Sequence, residues 1–272
     1  MNHNSVITRV PATSANLGPG FDSLCLALDL WNKAKFSLGG EGIHVQVKGE
    51  GEGRLPTDQR NLMFEAFQLV YRQAGQRAPT GMCIECENGI PLGSGLGSSA
   101  AAVLSGVMAA NAFLKEPYTS SNLLRIAANL EGHADNVAAA MYGGLVAIFS
   151  DGNSELKVHK LDCAFKNVVV VLPDFDLPTK TARKALPKNV PMTDAVFNIG
   201  HVLMTAEALR CGNRYLLMQA MEDRLHQPYR IDLIPGAQAA LDAARKFGAP
   251  AALSGAGPSL VAFAPVNPLA VV

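Results

Sequence analysis

Val6 to Val10 is a short β-type run that Pro11 closes, and Met82-Cys83-Ile84-Glu85-Cys86-Glu87 alternates like a strand. Between these runs lie a polar, glycine-rich stretch from Ala12 to Gly20 and an apolar run from Leu24 to Leu30. Ala34 to Leu38 and Ile43 to Val47, separated by Gly39, Gly40 and Gly42, read as a hairpin. From Asn61 to Ala74 the period changes: Met63, Ala66, Phe67 and Val70 fall on one helical face, and Gly75 stops the helix.

After the strand at Met82 to Cys86 the pattern predicts a loop to Gly97 and a small-residue helix from Ser98 to Leu114. A second helix, capped by Ser120 or Ser121, runs to about Gly132, and a third spans Asp135 to Tyr142. Gly143-Gly144 halts it before a strand at Leu145 to Phe149. The polar segment Asp151 to Ser154 divides the chain into residues 1–152 and 153–272. Beyond it come a strand at Val168 to Leu172 and helices around Asp194 to Leu209, Tyr215 to Leu225 and Gly236 to Phe247. A strand at Ala251 to Leu253 follows. Strands and helices mixed without strict alternation indicate an α+β fold.

Composition narrows the class. The 272 residues are 49% hydrophobic, enough for a substantial core, and 23 basic residues balance 23 acidic ones. That balance leaves no field to hold nucleic acid or an anionic membrane. No apolar run is long enough to span a bilayer, and Met1 to Val10 lacks the apolar core of a secretory signal. Five scattered cysteines suit a reducing, cytoplasmic setting better than a disulfide framework. Cys83 and Cys86 form one CxxC with no second pair to complete a zinc site.

The segment Pro91-Leu92-Gly93-Ser94-Gly95-Leu96-Gly97-Ser98-Ser99-Ala100 carries the most chemistry, because it joins a strand to a helix. Glycines at alternate positions let the backbone curl with its N–H groups inward, and the helix adds the positive end of its dipole, which suits an anion. Ser98 and Ser99 add hydroxyls for phosphate or magnesium. No Gly-Lys-Ser/Thr closes it as a Walker A loop, and the spacing is not that of a dinucleotide fingerprint. A second glycine segment, Ser254-Gly255-Ala256-Gly257-Pro258-Ser259, also follows a strand, so one anionic ligand between both loops explains the pair.

With Val10-Pro11-Ala12-Thr13-Ser14-Ala15-Asn16-Leu17-Gly18-Pro19-Gly20-Phe21-Asp22, these loops resemble the three motifs of the GHMP kinases, the superfamily of galactokinase, mevalonate kinase and homoserine kinase. Glu131-Gly132-His133-Ala134-Asp135-Asn136-Val137, Leu177 to Arg183 and His226 to Arg230 resemble the homoserine kinases within it. The resemblance implies a two-domain fold, ribosomal-protein-S5-like in its N-terminal half and ferredoxin-like in its C-terminal half. It also implies transfer of the γ-phosphoryl group of ATP to the side-chain hydroxyl of homoserine, a step of threonine biosynthesis. Carried over by position, Asn16, Asp22, His133, Asn136, Thr179, Arg183 and Arg230 line the homoserine site, with Asn136 orienting the hydroxyl and Arg183 beside it in catalysis. ATP falls to the Pro91 to Ala100 loop, Asn61, Gly255 and Gly257, and Mg²⁺ to Glu131 with Ser98 or Ser99.

Taken singly, Arg183 and Arg230 read as solvated charges, His133 as a structural histidine, and Asn16 and Asp22 as turn formers. Asp135, adjacent to Asn136 on a helix, points about 100° away from it and is the weaker candidate for a base. Family chains continue past Phe263 with another helix and strand, so the resemblance implies a shortened second domain. Apolar surface left bare there would favour a homodimer or marginal stability. The alternative is a weak relative that keeps the fold to bind nucleotide or an amino acid, or a kinase for another small alcohol.

Overall fold

The computed structural model describes residues 4–152 and 155–263. Its first sheet holds β1 (Ser5–Asn16), β2 (Gly20–Leu38), β3 (Gly42–Gly49), β4 (Gly81–Asn88), β5 (Leu145–Ser150) and β6 (Leu156–Leu161). They run in the order β3-β4-β2-β5-β6, with β1 paired on β2. Strand β1 continues through Pro11 to Asn16, beyond the expected end, because among the described residues it pairs only with β2 and its register shifts between Pro11 and Ala12. An edge position and a bulge are where a sheet tolerates the missing N–H of proline.

The expected hairpin between Ala34–Leu38 and Ile43–Val47 does not form. β4 pairs antiparallel with β2 from Asn32↔Asn88 to Leu38↔Met82, and β3 lies on the far side of β4, parallel to it. On β4 the two cysteines, three residues apart, stand on opposite faces of the pleat: Cys86 is buried against Met63 and Cys83 is half-buried.

Four helices cover this sheet: α1 (Leu62–Gln73), α2 (Ser98–Phe113), α3 (Ser120–Glu131) and α4 (Asp135–Tyr142). Helix α2 is apolar almost all round and therefore lies inside, burying Ala100, Ala101, Val103, Leu104 and Val107 against the core that Phe36, Phe67, Met82 and Ile84 share. Thr119, rather than Ser120 or Ser121, caps α3, with its hydroxyl accepting the Asn122 N–H. The division anticipated after residue 152 falls between β5 and β6. These strands pair from Leu145↔Leu161 to Ser150↔Leu156, so the first sheet runs on to Leu161, while residues 153 and 154 lie outside the described residues.

The second unit has a three-stranded antiparallel sheet, β7 (Val168–Val171), β9 (Leu260–Phe263) and β8 (Ala251–Leu253), in the order β7-β9-β8. Around it stand α5 (Thr179–Lys184), α6 (Met192–Cys211), α7 (Arg214–Ala220), α8 (Gln227–Ile231) and α9 (Ala237–Lys246). The helix anticipated from Tyr215 to Leu225 stops at Ala220, since the Asp223 carboxylate accepts the N–H groups of Leu225, His226 and Gln227 and opens α8 instead. The expected truncation concerns residues after Phe263, which lie outside the described residues.

Leu17, Leu24 and Leu145 of the first unit pack with Leu209, Leu217, Met221 and Phe263 of the second in one apolar cluster. That seam joins the two units beneath the site. No helix among the described residues is long and apolar enough to cross a membrane.

Candidate active site

Three loops meet above the seam through their main chains. Thr13 N–H donates to Leu96 O at 3.0 Å, Gly255 N–H to Ala15 O at 3.0 Å, and Ser259 N–H to Ser94 O at 3.1 Å. Glycine is required at the closest approaches. Gly95 has φ +82°, and a Cβ there would strike the Ser254 and Gly257 carbonyls; Gly97 has φ +74°, and a Cβ there would strike Thr13 Oγ1. The loop therefore reaches α2 with its backbone, not its side chains, turned to the space in front of it.

That space is a cavity of about 430 Å³. Val47, Leu55, Leu62, Met63 and Leu92 form an apolar end, while Gly93, Gly95, Gly97, Ser98 and Ser99 line the polar stretch that leads to His133, Asn136 and Thr179. Asn61 walls the apolar end as the N-cap of α1: its side chain accepts the Met63 N–H at 3.0 Å and donates to Pro56 O at 2.8 Å. Gly255, which lies against Gly95, and Ala256 line the cavity as well. Leu96 and Ala100 are buried below the loop, and Pro91 lines a neighbouring cavity instead, so these three shape the loop rather than face this space. Gly257 does not line it either; the Ile234 side chain lies against it.

A second cavity, of about 600 Å³, adjoins the first and shares Ser99, His133 and Thr179 with it; Glu131 and Arg183 stand on its wall. Ser99 Oγ donates to Glu131 Oε2 at 2.9 Å, which singles out Ser99 over Ser98 as the partner of that acid. Burial raises the Glu131 pKa, and the Ser99 hydrogen bond offsets only part of that rise. His133 Nδ1 lies 2.9 Å from Asp135 Oδ1. Burial alone would lift the Asp135 carboxyl, but the hydrogen bond and charge of His133 and the Asn136 N–H outweigh it and hold the acid below its ordinary range. Asp135 is thus ionised and buried, its Oδ1 taking the His133 and Asn136 contacts, and it lines neither cavity. Asn136, next to it, does line the first cavity, its Oδ1 accepting the Thr13 hydroxyl at 2.8 Å.

Beyond lies a charged cluster built on Phe21. Arg183 donates to both oxygens of Asp22, at 2.8 and 3.0 Å. The guanidinium carbons of Arg183 and Arg230 sit 5.7 and 5.2 Å from the Phe21 ring centroid, and His226 stacks on the ring at 5.2 Å. Arg230 is 2% exposed; Nη1 donates to Gly255 O at 3.1 Å and lies 3.2 Å from His226 Nδ1, while Nε has no partner among the described residues. His226 Nε2 lies 2.7 Å from Gly18 O, so a single neutral tautomer, protonated on Nε2, satisfies both contacts. Burial, reinforced by the Arg230 charge, lowers its pKa and keeps it neutral.

Of the residues expected at the acceptor side, His133, Asn136, Thr179 and Arg183 face the cavities. Asp22 and Arg230 join them through the Phe21 cluster. Asn16 does not face them: it is 2% exposed, donates to Gly255 O at 2.8 Å and accepts the Asp22 N–H at 3.0 Å, clipping two loops together. Thr13, Phe21 and His226 carry no sequence signal of their own for these contacts, although all three stand within the motif segments.

Residues 61–144 match the family GHMP kinases N terminal domain, and residues 205–269 the family GHMP kinases C terminal. The homoserine kinase of Moorella thermoacetica is 43% identical over 259 residues, covering 94% of this chain and 86% of that protein. The homoserine kinase of Gloeobacter violaceus is 44% identical over 263 residues, covering 93% and 86%. The crystal structure of homoserine kinase from Cytophaga hutchinsonii superposes with a TM-score of 0.85 at 33% identity, over 100% of this chain and 88% of that one. Phosphomevalonate kinase from Streptococcus pneumoniae shares the fold, with a TM-score of 0.73 at 15% identity over 96% and 91% of the two chains.

Proposed function

The chain belongs to the homoserine kinases of the GHMP kinase family, and from that premise we propose that it transfers the γ-phosphoryl group of ATP to the side-chain hydroxyl of L-homoserine. The product is O-phospho-L-homoserine, an intermediate of threonine biosynthesis. One observation carries the reading of the site: the glycine-loop cavity and the Arg183-lined cavity lie side by side and share Ser99, His133 and Thr179 on their walls. A nucleotide in the first and an amino acid in the second would bring donor and acceptor together there.

Phosphoryl transfer passes through a loose transition state, so the protein's part is alignment and charge neutralisation. The apolar end of the first cavity suits a purine, and the amides of Gly93 to Ser99 with the N-terminus of α2 suit its phosphates. Ser99 and Glu131 offer hard oxygens of the kind Mg²⁺ takes, few in number as befits an ion that keeps water and phosphate ligands. These two residues would hold it, and it would neutralise phosphate charge. Arg183 and the unpartnered Nε of Arg230 suit the α-carboxylate of the acceptor, and Asp22 suits its ammonium group. Asn136, on the wall of the donor cavity, holds the acceptor hydroxyl. With Asp135 tied to His133 and the Asn136 N–H, no strong base faces the acceptor from that segment.

The five free thiols fit a cytoplasmic setting, and the bare Val196, Ile199 and Leu203 of α6, each 60% exposed, form a face that a second copy would cover. Coupled ADP release with homoserine, serine, threonine, mevalonate and galactose tests the substrate assignment. ADP with homoserine alone is the expected result, and ADP only with mevalonate or galactose would refute it.

A further inference from the structure

Thr13 is wholly buried on β1, and three parts of the site touch it. Its N–H donates to Leu96 O at 3.0 Å, which anchors the glycine loop from below. Gly97 has no side chain because the Thr13 hydroxyl occupies the place a Cβ would take. That hydroxyl donates to Asn136 Oδ1 at 2.8 Å, across 123 residues of sequence.

The partners of the Asn136 amide settle which way round it stands. Asp135 Oδ1, an ionised acceptor, lies 3.4 Å from Asn136 Nδ2, so the nitrogen belongs on that side. The opposite end needs a donor, and the Thr13 hydroxyl is the one it meets. A flipped amide would set Oδ1 against the Asp135 carboxylate. Held as it is, the amide keeps a free Nδ2 hydrogen at the head of α4, on the wall of the donor cavity.

We propose that Thr13 is a positioning residue for phosphoryl transfer: its hydroxyl fixes the orientation of the Asn136 amide while its N–H holds the phosphate loop, so that donor and acceptor are set by one residue. This rests on the reading that Asn136 holds the acceptor hydroxyl. Thr13 itself touches neither substrate. Its loss should therefore cost turnover rather than nucleotide binding, which the loop amides supply.

Steady-state kinetics on Thr13→Val, Thr13→Ser, Asn136→Ala and the Thr13→Val/Asn136→Ala pair, each with its thermal midpoint, test the proposal. Valine keeps the shape and removes the donor; kcat should fall roughly 10- to 100-fold, the cost of a small misplacement, with the KM for ATP and the thermal midpoint near those of the parent. Serine keeps the donor and should restore most of the loss. The double variant should turn over no more slowly than Asn136→Ala alone, because the threonine acts only through the asparagine. A fully active Thr13→Val beside an inactive Asn136→Ala, or losses that multiply in the pair, would overturn the proposal and leave the role of Asn136 standing. Full turnover in Asn136→Ala would overturn both. Should the valine variant not fold, Thr13→Cys, with its weak S–H donor, replaces it in the comparison with serine, and equal kcat for the two would refute the idea.

Discussion

Arg183 and Asp22 hold each other in a two-pronged ion pair, Nη2 to Oδ1 at 2.8 Å and Nη1 to Oδ2 at 3.0 Å, across 161 residues of sequence. Both are more than a third exposed, so the pair is worth at most about 1 kcal/mol. A zwitterionic amino acid offers each partner a replacement: its carboxylate for Arg183 and its ammonium for Asp22. Parting so weak a pair costs little, so a substrate that offers both replacements can displace it.

Arg183→Lys keeps the charge but loses the fork that matches a carboxylate. The expected outcome is a homoserine KM raised roughly 10- to 100-fold with the KM for ATP little changed. Initial-rate kinetics with each substrate varied in turn check this, and an unchanged homoserine KM would remove Arg183 from the acceptor site.

Gly97→Ala places a Cβ on a residue at φ +74° and against Thr13 Oγ1. Backbone strain alone costs about 1–3 kcal/mol. ATP affinity, read by calorimetry, should fall about tenfold or more. Gly132→Ala also carries a positive φ, +82°, but has open space around it; it should lower the melting temperature a little and leave ATP affinity intact.

Glu131→Gln removes the one carboxylate beside Ser99 while keeping its shape. The Mg²⁺ concentration for half-maximal ADP release should rise strongly, and Ser99→Ala should raise it less, since a charged ligand outweighs a hydroxyl. Coincident Mg²⁺ titrations for parent and Glu131→Gln would place the ion elsewhere.

His226 is buried neutral, with a pKa below the ordinary 6.5 because of burial and the Arg230 charge. The unfolded chain then binds a proton that the folded chain refuses, so stability present above about pH 6.5 is lost as pH falls below it, down to the folded pKa. Thermal melts from neutral to mildly acidic pH should show this decline, and His226→Gln should flatten it while lowering stability at neutral pH. An equally steep decline in the variant would assign the effect to other groups.

Elements with a strong local signal were legible in the sequence. Helix α2 and its glycine loop follow from small residues and spacing, and α4 from the stop at Gly143-Gly144. The expected β2–β3 hairpin fails because the true pairings, β2 with β4 and β4 with β3, join residues as far apart as Asn32 and Asn88 and leave no local trace. Strand β6, Leu-Lys-Val-His-Lys-Leu, alternates only as far as His159, and its half-exposed edge position gave it little apolar weight. At the site, motif order brought out His133, Asn136, Thr179 and Arg183. It could not tell that Asn16 faces inward to Gly255 and Asp22, or that Thr13 reaches Asn136, because both contacts are made only by tertiary folding.

The most direct measurement is a crystal structure of the chain with a non-hydrolysable ATP analogue and L-homoserine bound together. Phosphate oxygens should lie within hydrogen-bond reach of the Gly93 to Ser99 amides, the Arg183–Asp22 pair should be parted, and the homoserine carboxylate should sit between Arg183 and Arg230. Phosphates bound away from that loop, or homoserine bound with Arg183 still closed on Asp22, would contradict this arrangement.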